Sequence, residues 1–152
     1  MVSMATRLKS KVWRTNSERQ TIDRARAIGE KLEAGIRVAL VGKLGSGKTT
    51  FVKGLALGLG VRRAKEVRSP TFVIFHIYKG RIPIYHFDLY RLESASDLDG
   101  VGIDEFLSDE KAVSVVEWAD RIPKIVEDSD IRIEMSRAGE KKRIIRMHVC
   151  ER

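Results

Sequence analysis

The sequence has 152 residues, 43% of them apolar, and a formal net charge of +8. That length suits one domain with a sizeable core, and no stretch approaches the ~20 apolar residues that span a bilayer. With no apolar signal core in Met1 to Lys11 and one cysteine, Cys150, to exclude an internal disulfide, a cytoplasmic protein away from membranes is expected.

The charge is unevenly placed. Arg7, Lys9, Lys11 and Arg14 open the chain, Arg62, Arg63, Lys65 and Arg68 cluster mid-chain, and Lys141, Lys142, Arg143 and Arg146 lie near the end. Between Leu92 and Glu110 there are no basic residues, whereas Glu93, Asp97, Asp99, Asp104, Glu105, Asp109 and Glu110 are acidic. Two readings stand open: ordinary solvated faces, or a surface that works near a polyanion and docks a protein by charge.

In chain order, a basic tail at 1–14 precedes one domain at 15–152. Ser17-Glu18-Arg19-Gln20 fits a capping box, and Ile22, Ala25, Ile28 and Leu32 predict a helix from about Glu18 to Ala34, with Gly35 as its stop. Ile36 to Val41 is a β-branched run of the buried-strand kind, and it feeds a glycine-rich loop. Lys48 to about Leu59 is helical, weakened and ended by Gly58 and Gly60. Phe72 to Tyr78 and Ile82 to Asp88 predict a hairpin around Lys79-Gly80, with Pro83 favouring an edge position. The acidic stretch from Ser96 to Leu107 reads as a poorly patterned helix. Ala112 to Val116 reads as a buried strand leading into Glu117, and Ile131 to Met135 with Ile144 to Val149 as a last strand pair. The expected architecture is α/β, a three-layer P-loop NTPase-like fold whose central mixed sheet is flanked by helices.

The run Gly42-Lys43-Leu44-Gly45-Ser46-Gly47-Lys48-Thr49 has Walker A spacing. Triphosphate oxygens need several converging backbone N–H donors, and Gly42, Gly45 and Gly47 let the chain curl closely around them. The helix that follows offers its N-terminal amides and positive dipole end. Lys48 is expected on the β- and γ-phosphates and Thr49 on Mg²⁺. The metal also needs a strand-borne acid; Glu117 follows the more continuous apolar run and is preferred, while Asp88 either binds through water or orients the attacking water. Ser69 and Thr71 are either a γ-phosphate sensor or an ordinary Ser-Pro turn. Trp118 either covers the site or packs in the core. His76 and His86 read as structural imidazoles, and without Cys/His ligand spacing a zinc site is rejected. The dinucleotide pattern G-x-G-x-x-G is not matched in the loop.

Taken together, Gly42-x-Leu44-Gly45-x-Gly47-Lys48-Thr49-Thr50, Ser69-Pro70-Thr71-Phe72, His86-Phe87-Asp88-Leu89-Tyr90-Arg91 and Glu117-Trp118 resemble the TsaE family, also called YjeE, bacterial P-loop ATPases of tRNA threonylcarbamoyladenosine biosynthesis. The resemblance runs from about Thr21 to Trp118. It implies a phosphate loop from Gly45 through Ser46, Gly47, Lys48 and Thr49 to Thr50, Mg²⁺ on Thr49 and Glu117, and a nucleotide contact from Thr21. It further implies a switch-like segment at Ser69 to Thr71, an aspartate, Asp88, important for hydrolysis, and Trp118 beside the site. The turn at Gly139, Glu140 and Lys141 would approach the nucleotide. The cofactors implied are ATP, preferred over GTP on resemblance alone, and Mg²⁺. The partners implied are TsaD and TsaB, with tRNA reached through that complex, and no DNA. Two rivals remain: a small P-loop kinase, which needs an arginine-bearing lid, and a non-enzymatic RNA-binding module, which leaves Lys48 and Thr49 unexplained.

Overall fold

A computed structural model describes residues 8–68, 75–92, 95–98 and 102–150. Seven strands form one mixed sheet: β1 (Lys11–Thr15), β2 (Arg37–Val41), β3 (Phe75–Tyr78), β4 (Ile84–Asp88), β5 (Val113–Glu117), β6 (Ile131–Arg137) and β7 (Arg143–Val149), in the spatial order β1-β7-β6-β2-β5-β4-β3. The centre, β6-β2-β5-β4, is parallel, and antiparallel pairs extend it at both ends. Among the described residues four α-helices accompany it: α1 (Glu18–Gly29), α2 (Lys48–Gly58), α3 (Ile103–Leu107) and α4 (Pro123–Glu127). Among the described residues no helix is long and apolar enough to cross a membrane.

Period-two alternation sends side chains from one strand to two cores. Val38 and Leu40 of β2, with Val113 and Val115 of β5, join Phe51, Val52 and Leu55 of α2 on one face. Ala39 and Val116 point to the other face, against Ile103, Leu107 and Ile122. The molecule is therefore the expected three-layer α/β fold, with α1 and α2 on one side and the short helices on the other.

The two long helices cross closely because glycine stands at the contact. A Cβ at Gly54 would land on the Ile22 carbonyl and the Ala25 side chain, and one at Gly58 on the Arg26 carbonyl. Gly58 is the last residue of α2, where the helix is expected to end, and it is also a packing position against α1. At the start of α1 Ser17 caps the helix as expected, its Oγ accepting from the Gln20 amide at 3.1 Å, while Gln20 Oε1 reaches back one residue further to accept from the Asn16 amide at 2.7 Å.

Four expectations are corrected. The tail assigned to 1–14 is shorter, since Lys11 to Arg14 pair with β7 and Leu8 is buried in the first core. α1 ends at Gly29 rather than near Ala34, because the Arg81 guanidinium donates from Nη2 to the carbonyls of Gly29, Glu30 and Leu32 at 3.0, 3.2 and 3.1 Å and so satisfies the terminal acceptors there. Pro83 does not mark an edge: it precedes β4, which lies inside the sheet, and β3 is the edge. The acidic stretch holds a 3₁₀ turn at Ala95–Leu98 and the separate α3, not one helix.

Replacing Gly54 with Ala should destabilise the fold by about 1–3 kcal/mol, as overpacking of a tight contact does. Chemical denaturation reads the loss directly, and an unchanged midpoint would mean that α1 and α2 can separate freely.

Candidate functional site

β2 delivers the chain into the 42–47 loop, and the carboxyl ends of β4 and β5 flank it, with Leu40 and Asp88 both in register with Glu117. Ligands of open α/β sheets bind at this end of the strands, where chain order reverses. Gly47, the N-cap of α2, has φ 98°, a left-handed conformation that glycine adopts without Cβ strain. The first amides of α2 consequently face the loop with no side-chain cap competing for them.

Lys48 is 5% exposed. Its Nζ donates to the carbonyls of Gly42 at 2.5 Å and Lys43 at 3.1 Å, and to Ser46 Oγ at 3.5 Å. Burial holds this ammonium below the ordinary lysine value, opposed by the nearby Glu117, Asp88 and Asp120 carboxylates. Its charge also lies 4.1 Å from the centre of the Trp118 ring, which packs at a tilt against Tyr90 at 4.9 Å and carries Arg121 at 5.5 Å. Trp118 packs against the second core and lies over the Lys48 ammonium.

Glu117 ends β5 and is 2% exposed. Thr49 Oγ1 donates to its Oε1 at 2.9 Å, and His86 Nε2 donates to its Oε2 at 2.5 Å. A hydroxyl and a carboxylate are hard oxygen donors, the chemistry that Mg²⁺ takes from a P-loop protein alongside phosphate oxygens and waters. The donor set therefore fits that metal. Asp88 sits beside Glu117 at the end of β4, and its Oδ1 accepts from the Tyr90 amide at 2.9 Å.

Behind the loop opens a cleft of about 810 Å³ lined by Ser17, Glu18, Thr21, Gly47, Thr50, Glu140, Lys141 and Arg143, among others. Thr21 is buried, with its Oγ1 2.7 Å from Thr15 Oγ1, and borders this cleft. Thr50 and the turn at Glu140 and Lys141 border it too, so positions that the resemblance associates with nucleotide converge on one concavity. A smaller cavity of about 340 Å³ lies on the opposite face, under α3 and α4, and no loop residue lines it. Gly45, with φ 80°, and Ser46, buried under Lys48, complete the loop. Ser69, Pro70 and Thr71 fall outside the described residues.

Residue-level reasoning reads His86 as a structural imidazole and does not reach its bond to Glu117. Nor does it reach Tyr78, whose hydroxyl lies 3.1 Å from His86 Nδ1 and whose phenol is pushed up by burial. The available signal was the H-x-D spacing in a strand, which puts His86 and Asp88 on one face two residues apart.

A family model described as "Threonylcarbamoyl adenosine biosynthesis protein TsaE" matches residues 15–145. A Bacillus subtilis protein named tRNA threonylcarbamoyladenosine biosynthesis protein TsaE is 39% identical over 139 residues, covering 91% of this chain and 85% of that protein. The protein of the same name from Treponema pallidum is 42% identical over 108 residues, covering 71% and 78% of the two chains. The crystal structure of Bacillus subtilis YdiB matches with a TM-score of 0.73 and 33% identity, over 93% of this chain and 87% of that one. The extent of the family match, together with relatives of this identity and coverage, establishes that the chain belongs to the TsaE family of threonylcarbamoyladenosine biosynthesis proteins.

Proposed function

We propose that the chain binds Mg-ATP in the loop and cleft and hydrolyses it, serving as the ATP-driven subunit that supports tRNA threonylcarbamoyladenosine synthesis by a TsaD–TsaB complex. The observation that carries the nucleotide part is the Thr49–Glu117 contact of 2.9 Å, next to a buried Lys48 at the start of α2. A phosphate loop without nucleotide function has no need of a buried carboxylate held against the hydroxyl that follows its lysine.

In this mechanism Lys48 and the loop amides take up the negative charge of the β- and γ-phosphates, and the N-terminal end of α2 adds its dipole. Magnesium, when bound, neutralises charge on the phosphate oxygens, with Thr49 and Glu117 as its protein ligands. Asp88 holds and orients the attacking water. Trp118 and Tyr90 shield the lysine side from solvent, which strengthens each electrostatic contact there. Thr21, Thr50 and the Glu140–Lys141 turn supply the walls of the nucleoside end. The choice of ATP over GTP rests on the family resemblance.

The partner assignment rests on family membership and on the uneven charge, with the acidic 93–110 stretch set against basic clusters elsewhere. The chain's energy use would then drive a change in the partner complex, while the tRNA chemistry proceeds on that complex. Association with TsaD and TsaB should differ between ATP and ADP in a pull-down. Equal or absent capture in both would remove this assignment and leave the nucleotide site standing.

Replacing Lys48 with Ala should weaken ATP binding roughly tenfold to a hundredfold, the loss expected for a charge-assisted bond to phosphate; calorimetry showing full affinity would refute the site. Asp88→Ala should instead lower turnover by about 10²–10⁴-fold, the contribution of a positioned acid–base group, while nucleotide affinity is largely kept. A parallel fall in both would assign Asp88 to binding.

A further inference from the structure

Both oxygens of Glu117 are engaged, and the second leads away from the site through two buried side chains. His86 is 0% exposed, and its Nε2 lies 2.5 Å from Glu117 Oε2. A carboxylate only accepts, so Nε2 carries the proton; in a neutral imidazole Nδ1 is then an acceptor. The Tyr78 hydroxyl, 3.1 Å from Nδ1, is the donor that fits it. The same hydroxyl oxygen accepts from the Arg68 amide at 3.3 Å, and the hydroxyl can turn to donate to the Arg68 carbonyl at 3.1 Å. A phenol has one proton, so donation to His86 and donation to Arg68 compete.

The linkage crosses three neighbouring strands, from Glu117 on β5 through His86 on β4 to Tyr78 on β3. It ends on both backbone groups of Arg68, the residue from which the chain enters Ser69-Pro70-Thr71. A buried imidazole needs only a partner for each nitrogen. Here the partners are an acid held against Thr49 and a hydroxyl bound to the chain beside a Ser-Pro-Thr segment.

We propose that His86 and Tyr78 are positioning residues that fix the orientation of the Glu117 carboxylate and couple it to the backbone at Arg68. This inference rests on Glu117 being a ligand of the nucleotide's magnesium. Partners behind metal ligands commonly contribute tenfold to a hundredfold in metal affinity. Because Tyr78 chooses between two acceptors, a shift of Glu117 toward a metal alters the bond available to Arg68, and a shift of the chain at Arg68 alters the support of Glu117.

The test uses the full chain as wild type, Tyr78→Phe, His86→Gln and His86→Ala. ADP binding is measured by calorimetry without metal and across a Mg²⁺ titration, and backbone hydrogen exchange is followed at Arg68 with and without Mg-ADP. Tyr78→Phe keeps the buried ring and removes the hydroxyl. It should raise the Mg²⁺ requirement about tenfold, leave metal-free ADP affinity unchanged and abolish the Mg²⁺-dependent change in exchange at Arg68. His86→Gln, whose amide can still donate to Glu117, should keep more Mg²⁺ affinity than His86→Ala, yet lose the exchange response. If one variant fails to fold, as thermal unfolding reports, the others carry the comparison. A wild-type Mg²⁺ midpoint and a wild-type exchange response in Tyr78→Phe overturn the proposal while sparing the nucleotide site. A lost midpoint with an intact exchange response upholds positioning and overturns coupling. A wild-type chain whose ADP binding ignores Mg²⁺ removes the premise, and the proposal falls with it.

Discussion

Lys48 and Glu117 carry opposite charges almost out of water at one end of the sheet, 5% and 2% exposed. Leaving such a charge without partners costs about 3–5 kcal/mol, so the surrounding chain has to supply them. For Lys48 the partners are main-chain carbonyls at Gly42 and Lys43, which can reach back only if the loop curls tightly over its own lysine. For Glu117 they are Thr49 and His86, which ties the first turn of α2 and the middle of β4 to the end of β5. Loop shape, helix start and strand register are thus all conditions for solvating two charges. The arrangement is also incomplete in a useful sense: carbonyls and a ring face satisfy an ammonium less well than phosphate oxygens do, and burial already holds Lys48 below its ordinary pKa.

The cleft depends on a second constraint, the close crossing of α1 and α2. With Gly54 and Gly58 at the contact, the start of α1 lies near the start of α2, and Ser17, Glu18 and Thr21 share a concavity with Gly47 and Thr50. Arg81 ends α1 by satisfying its last carbonyls from the turn before β4, so helix length is set by a side chain far away in sequence. Packing, capping and cleft geometry are in this respect one arrangement.

That same non-locality decides what can be read in the chain. The Walker spacing, the β-branched entry strand and the apolar run into Glu117 are local patterns, and each appears where expected. β1 escapes a local reading because a short edge strand with cations on both sides, Lys11 and Arg14 around Val12 and Trp13, looks like a basic tail until β7 is beside it. The end of α1 escapes it too, because the carbonyls of Gly29, Glu30 and Leu32 find their partner in Arg81, far along the chain. Gly58 reads correctly as a helix end because glycine's propensity cost is visible locally, whereas its contact with α1 is not. His86 and Tyr78 read as ordinary strand residues for the same reason, since their partners lie on other strands.

Trp118 shows how a local cost can be set by the site. It has φ 57° and is alone among the described non-glycine residues in having positive φ, a conformation that costs about 1–3 kcal/mol. In an extended strand, side chains alternate: Val113, Val115 and Glu117 face α2, so an extended residue 118 would point with Val116 to the opposite core. The left-handed turn brings the ring back toward the lysine while its flank still leans on the second core. Buried Ala119 and Ile122 anchor the chain just beyond, which keeps the backbone from relaxing. A cation over an indole face contributes about 0.5–2 kcal/mol, comparable to the strain. The balance is therefore close to even without a further ligand, and an indole that only matches its own backbone cost can give up the ammonium to a stronger acceptor at little expense.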